Sequence, residues 1–424
     1  MTHQLALTVI APIQPNAIDS LKMLLGRIAQ NRNQPPIIPF DKLNTIHFAR
    51  LMILDETQDL RGQRIRPSLA LLTNFDAPLD AHLTALATIA ADELDKVFSH
   101  CEGYPQPHAR SPQSRVAFLR SHRVSSKPFY VNTPGRTVQQ IQQEEQLRQA
   151  IGQFVDQSDW PEGTASNQVR SAIQAFVRSQ SHLGWALSPA EPPKLSWRLR
   201  ETLHKVGVPL LLLPFLPLIL LGLPIGLVLL RIHEARELPD TSKADPDRVR
   251  QLRDDEDFGG QNQIIAIGEF KLGWFRKITA WIVLELADYL IRHVFNRGSL
   301  SGLNTIHFAR WVTIDQGRRL FFTSNYDGSL ESYMNDFIDK AAWGLNAIFS
   351  NGEGFPKTRW LFLDGIRDEQ AYKTFLPTRQ IPTQIWYSAY PHLSTINIQN
   401  NAMIRRDLFR QLNSTEIEQW LQRL

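Results

Sequence analysis

Cysteine is nearly absent: Cys101 stands alone in 424 residues. No intramolecular disulfide and no cysteine-based metal cluster can form, and a reducing compartment fits. The chain also lacks a phosphate-cradling Gly-rich loop, a Gly-x-Ser-x-Gly elbow, a His-Glu-x-x-His pair and a Cys-x-x-Cys pair. Kinase, hydrolase and zinc-enzyme readings lose their usual support, and no metal site is expected. No dense Lys/Arg stripe interleaved with aromatics occurs, so nucleic acid is not an expected partner despite a net charge of +4 and a pI ≈ 9.1. A membrane surface suits the same charge balance. The apolar run Leu5 to Ile13 has no Lys or Arg before it and meets Pro12 and Pro15 at once. It reads as a strand, not a signal peptide.

What is present is a repeat. Leu43-Asn44-Thr45-Ile46-His47-Phe48-Ala49-Arg50 recurs as Leu303-Asn304-Thr305-Ile306-His307-Phe308-Ala309-Arg310. Behind each copy runs a second apolar strand, then Asn74-Phe75-Asp76 or Asn325-Tyr326-Asp327, then a helical pattern ending in Glu-Gly-Tyr-Pro or Glu-Gly-Phe-Pro. From Asp76 to Pro105 and from Asp327 to Pro356 is the same 29 positions, so the helices match without a gap. Further on, Phe129-Tyr130 lines up with Trp386-Tyr387. The halves are one duplicated unit. In the first, strands are expected at Leu5 to Pro12, through Leu51 to Asp55, and at Ser68 to Thr73. Helices are expected from Asn16 to Ile28, over Asp80 to Ser99 and over Val138 to Phe154, with further strands at Val116 to Leu119 and Phe129 to Asn132. The order β-α-β-β-α-β predicts an α+β fold of two tandem ferredoxin-like units. The divisions are residues 1–155, a linker region 156–260, and residues 261–424.

The linker holds Val206 to Leu230, 25 residues without a charge, long enough to cross a bilayer. Pro209, Pro214, Pro217 and Pro224 argue against a plain helix. Arg198, Arg200 and Lys205 precede it and Arg231 and Arg236 follow, which gives no orientation. Two units that pack together must lie on one side of a membrane, so a Pro-kinked hairpin or in-plane anchor is preferred to a single span. A buried soluble helix is the third reading. Asp156 to Lys194, Gln34 to Pro39 and Asp240 to Asp257 read as largely loop or linker. In the second unit, Gly273-Trp274-Phe275-Arg276-Lys277 opens an amphipathic helix to Phe295 that suits either a membrane interface or a core.

Strand alternation places His47 with Thr45 and Ala49, opposite Phe48 and Arg50, unless the strand bulges. The His face is expected to line the space between units. His47 and His307 are candidate catalytic bases or ligands, against the structural alternative of a bonded core group. Arg50 and Arg310 are candidate anion anchors or partners of Asp55 and Asp315. Asp76 and Asp327 either cap the helix that follows or reach the histidines. Tyr387, within Trp386 to His392, can line an apolar pocket or fill a core.

On the two Asn-Thr-Ile-His-Phe-Ala-Arg strands, with Asn325 to Tyr333 behind the second, the chain resembles an uncharacterised bacterial membrane-associated family similar to the dimeric α+β barrel superfamily. The likeness covers roughly 300 residues and leaves out the insert. It implies an intrachain pseudo-dimeric barrel. Members of that superfamily include cofactor-free monooxygenases, isomerases and haem-binding groups, so haem is the cofactor the resemblance raises. The helical proximal histidine of the haem groups has no counterpart here, and Tyr326-Asp327-Gly328 matches only the tail of their Gly-x-x-Asp-Gly signature. The expected function is that of a membrane-associated protein on the cytoplasmic side, bound to lipid through residues 206–230. It is either an oxidoreductase-like enzyme for a hydrophobic small molecule or a non-catalytic lipid- or partner-binding scaffold.

Overall fold

The computed structural model describes residues 4–30, 38–76, 78–188, 195–237, 245–257, 259–295 and 298–424. Gln34 to Ile37, Pro189 to Lys194, Asp240 to Ala244 and the side chains of Arg198 and Arg200 lie outside the described residues. The protein is α+β, with antiparallel sheets that do not close.

Two four-stranded sheets carry the two halves. In the first, β1 (Leu5–Pro12), β2 (Ile46–Leu54) and β3 (Ser68–Phe75) come from the N-terminal half. The short strand β4 (Phe129–Val131) follows them in the chain. The second half supplies β5 (Gln261–Glu269), β6 (Ile306–Ile314), β7 (Arg319–Asp327) and β8 (Ile385–Ser388). Spatial order is β1-β3-β2-β8 in one sheet and β5-β7-β6-β4 in the other. Each sheet thus takes its fourth strand from the opposite half. The exchange is in matched register: Trp386 lies against Arg50 and Phe129 against Arg310. Two self-contained β-α-β-β-α-β units are therefore not what the chain builds. The fourth strand also covers the edge of β2 or β6 that would otherwise stand unpaired.

Both sheets bury one face under helices. The first core joins Leu7, Val9, Leu51, Leu69 and Leu71 to Leu21, Leu25, Leu83, Leu86 and Val97. Borrowed Ile385 completes it, as borrowed Tyr130 completes the second. The other faces meet: Met52, Leu54, Ala70 and Leu72 pack on Ile265, Val312, Ile314 and Phe321. Sheets stacked face to face leave a layer of side chains about 10 Å thick between them.

Several expected elements shift. Val116 to Leu119 is not a strand but part of the helix Pro112–Ser121, started by the reciprocal Ser111–Ser114 capping box and Pro112. The helix expected over Asp80 to Ser99 breaks at Ala90 into Leu79–Ile89 and Ala91–Phe98, and its counterpart breaks at Ala341. Within the linker region, Ser166–Ser179 is helical and packs with Trp420, Ile404 and Leu408 from the far C-terminus in a third core. Pro246–Glu256 is also a helix, capped by Asp245.

Leu203–Arg236 is one helical run. No residue from Val206 to Leu229 is buried, which sets aside the buried soluble helix. The run is long and apolar enough to cross a membrane.

Candidate functional site

Both repeated strands bulge at the histidine. The pairing of β2 with β3 steps from Ile46 opposite Phe75 to Phe48 opposite Asn74, leaving His47 as the extra residue. β6 does the same at His307. A bulge resets the alternation of side chains. Ile46, Ala49 and Leu51 consequently face the helices, while Phe48, Arg50 and Met52 face the other sheet. The expectation that the histidine face alone lines the space between the halves is thereby corrected. Histidine and arginine both turn towards it.

At the centre the halves interlock. The His47 ring lies 5.1 Å from that of Phe308, and the His307 ring lies 5.3 Å from that of Phe48. Phe48 and Phe308 meet edge-on at 5.7 Å. His47 Nε2 is 2.9 Å from Asp76 Oδ1, and its Nδ1 is 2.8 Å from the Tyr390 hydroxyl. When the ring is neutral and Asp76 ionised, Nε2–H donates to the carboxylate and Nδ1 accepts the tyrosine proton. His307 Nε2 lies 2.7 Å from Asp327 Oδ1. Each aspartate also caps a helix, though not the next one. The Val138 N–H donates to Asp76 Oδ2 at 2.7 Å, and the Thr395 N–H to Asp327 Oδ2 at 2.8 Å. Each carboxylate thus ties the bulge to the helix after the exchanged strand. The helix that follows Asp76 in sequence has no side-chain cap, and Ser329 caps the one after Asp327.

The arginines cross between the sheets in the same reciprocal way. Arg50 donates to the Ile264 and Ser324 carbonyls, each at 3.1 Å, and to Asn325 Oδ1. Arg310 donates to the Leu7 carbonyl at 2.7 Å, Thr8 Oγ1 at 3.1 Å, the Thr73 carbonyl at 2.9 Å and Asn74 Oδ1 at 2.8 Å. The expected pairing with Asp55 and Asp315 does not occur: Asp55 binds Lys22 at 2.7 Å and Asp315 binds Arg319 at 2.5 Å. Burial pulls the Arg50 guanidinium down to about 10, with Glu256 opposing. Burial, and then the charge of Arg50, pull Arg310 well below its ordinary value. An anion arriving at either guanidinium would have to displace bonds to carbonyls already made.

Tyr387 does not join this cluster. It packs 5.6 Å from Phe40 on the helix side, and burial raises its hydroxyl to about 12. Tyr390, three residues on, occupies the centre instead, with 1% of its surface exposed and its ionisation pushed well up by burial and then by Asp76 and Asp327. Gln261 is likewise a residue that sequence reasoning misses. Its amide donates to the Tyr390 and Leu393 carbonyls, as that of Gln4 does to the Thr133 and Arg136 carbonyls. The register of the repeat marks both glutamines as equivalent, and Thr133 as the position where Tyr390 breaks the symmetry.

Chemically, His47 is sealed. It has 0% exposure and both ring nitrogens are engaged. A haem or metal ligand needs a free nitrogen and an open coordination side, so His47 does not fit a haem; His307 is 3% exposed with its Nε2 held by Asp327, which leaves no open side for one. Among the described residues no group of three His, Cys, Asp or Glu side chains is placed to hold a metal ion. A cavity of about 30 Å³ in the second half is lined by Ile264, Phe322, Tyr333, Phe337 and Phe375, among others, and includes none of the candidate residues. That is room for about two or three waters at most. No protein family, curated protein or solved structure matches the chain.

Proposed function

We propose that this chain is a membrane-associated, non-catalytic scaffold or binding protein. Its two duplicated halves exchange a strand and pack sheet on sheet within one chain, a pairing that resembles that of the dimeric α+β barrel superfamily. The observation that carries this reading is the internal satisfaction of the repeated motif: His47, Arg50 and Arg310 spend their hydrogen bonds on the opposite sheet, on Tyr390 and on helix-capping aspartates. Such a motif recurs because it locks the halves, not because it turns over a substrate. An oxidoreductase acting on a hydrophobic molecule would need room beside a histidine nitrogen, and His47 and His307 are 0% and 3% exposed.

Lipid is the partner favoured for residues 206–230, most of whose apolar side chains stand exposed. The single buried thiol, Cys101, suits the cytoplasmic side. Flotation with preformed vesicles and an absorbance scan test the reading together. The protein is expected to float without a Soret band. His47→Ala and His307→Ala are expected to float equally well but melt at lower temperature. A Soret band would overturn the non-catalytic reading, as would a turnover abolished in both variants at unchanged melting temperature.

A further inference from the structure

Both ends of the apolar run rest on one helix, Trp274–His293. At the start, the Tyr289 hydroxyl donates to the His204 carbonyl at 2.9 Å, His293 Nδ1 lies 3.0 Å from Glu201, and the His204 and His293 rings stack at 4.7 Å. At the finish, His233 stacks on Phe275 at 5.0 Å, and Glu237 takes Arg276 and, at 2.8 Å, Lys271. Glu234, fully buried, accepts the N–H groups of Trp360 and Leu361 and the Thr358 hydroxyl.

These anchors are closer together than the run is long. At ~1.5 Å per residue, His204 to His233 is about 44 Å of helix, whereas Phe275 to His293 is about 27 Å. Nor do the two helices cover each other between the anchors. Leu211, Leu218, Leu221 and Ile225 are 62–72% exposed, and Ile278, Trp281, Ile282 and Leu286 on the supporting helix are 45–64% exposed. The run therefore bows outward. Its regular hydrogen bonding is interrupted where bending is easiest, by a π turn at Leu203–Gly207 and a 3-10 turn at Leu213–Phe215, beside Pro209, Pro214 and Pro217.

We infer that this arch enters one leaflet of an anionic phospholipid bilayer and returns. The outward row of Trp274–His293, with Trp360 and Phe362, meets the headgroups beneath it. The inference rests on the reading that the run meets lipid, and adds the side and the surface. Arms of ~15 Å and ~29 Å, meeting at the 3-10 turn, reach a depth of about 15 Å over that base, roughly half of the ~30 Å hydrocarbon core. A full crossing would put His204 and His233 on opposite sides and carry Arg276, Asp288 and Arg292 of the supporting helix through hydrocarbon. Trp274, Trp281 and Trp360 are each at least 39% exposed, as aromatic side chains at an interface are. Exposed Arg236 and Lys277 stand at the rim, where acidic headgroups would meet them.

The native Cys101 has no exposed surface, so introduced thiols can be labelled selectively. The double variant Leu199→Cys/Arg236→Cys, reconstituted in phosphatidylcholine–phosphatidylglycerol vesicles, is treated with a membrane-impermeant thiol reagent and weighed intact. Same-side ends give molecules labelled twice or not at all; molecules labelled once throughout would overturn the arch. An environment-sensitive fluorophore on Trp281→Cys is expected to shift to the blue when vesicles are added, while one on Asp92→Cys stays put. An unmoved Trp281 label would overturn the docking surface. Failure of the unmodified protein to float defeats the lipid reading itself, which separates the two.

Discussion

At the residue scale the centre behaves as a set of staples. Arg50 satisfies three acceptors on the opposite sheet; removing it takes its bonds from the Ile264 and Ser324 carbonyls, while Asn325 Oδ1 keeps the Trp386 Nε1–H. Arg50→Ala is expected to cost about 1–3 kcal/mol for each buried acceptor left without a donor, read as a lower urea midpoint. His82 supplies a pH dependence. It stacks on Phe75 at 3.7 Å with its Nε2 2.8 Å from Thr73 Oγ1, and burial holds its ring down at about 3 against an ordinary 6.5. Above pH 6.5 the ring is neutral folded or unfolded, and its contribution is complete. As the pH falls from there towards 3 only the unfolded chain takes up the proton, so stability is lost by up to about 1.4 kcal/mol per pH unit. Urea melts at pH 7 and pH 5 should show this slope, reduced in His82→Phe. An equal slope in that variant would assign the acid sensitivity elsewhere.

At the element scale the decisive feature is strand exchange. Tyr130 belongs to the first half in sequence and to the second half's core in space; Ile385 is its mirror case. Tyr130→Ala should cost roughly 3–5 kcal/mol as a large buried aromatic. By hydrogen exchange, it should speed protons in 306–327 more than in 46–75. Ile385→Ala should do the reverse. Acceleration confined to each residue's own half would contradict the exchange. This level also shows what local pattern can and cannot disclose. The strands at Leu5–Pro12 and Ser68–Phe75 and the matched repeat are legible because alternation and spacing are properties of neighbouring residues. The one-residue bulge is not, because periodicity looks the same on either side of an inserted position. Local pattern makes Asp76 a cap, correctly in kind, but the helix it caps starts 62 residues away at Val138. Which edge accepts Phe129–Val131 depends on a partner some 180 residues downstream, and no local signal records it. Nothing local separates Tyr387 from Tyr390 within Trp386 to His392: the turn after β8 swings only the latter into the centre.

At the scale of the whole molecule, the two exchanged sheets and the insert constrain each other. Halves that share strands and arginines cannot sit on opposite sides of a bilayer, and an insert pinned at both ends to one helix does not ask them to. The most direct measurement is limited proteolysis of protein added to the outside of sealed, preformed vesicles. The account predicts that both halves, followed by separate terminal tags, are cut together, while a fragment spanning residues 206–230 stays with the lipid. Protection of one half, released only when the vesicles are opened with detergent, would contradict it.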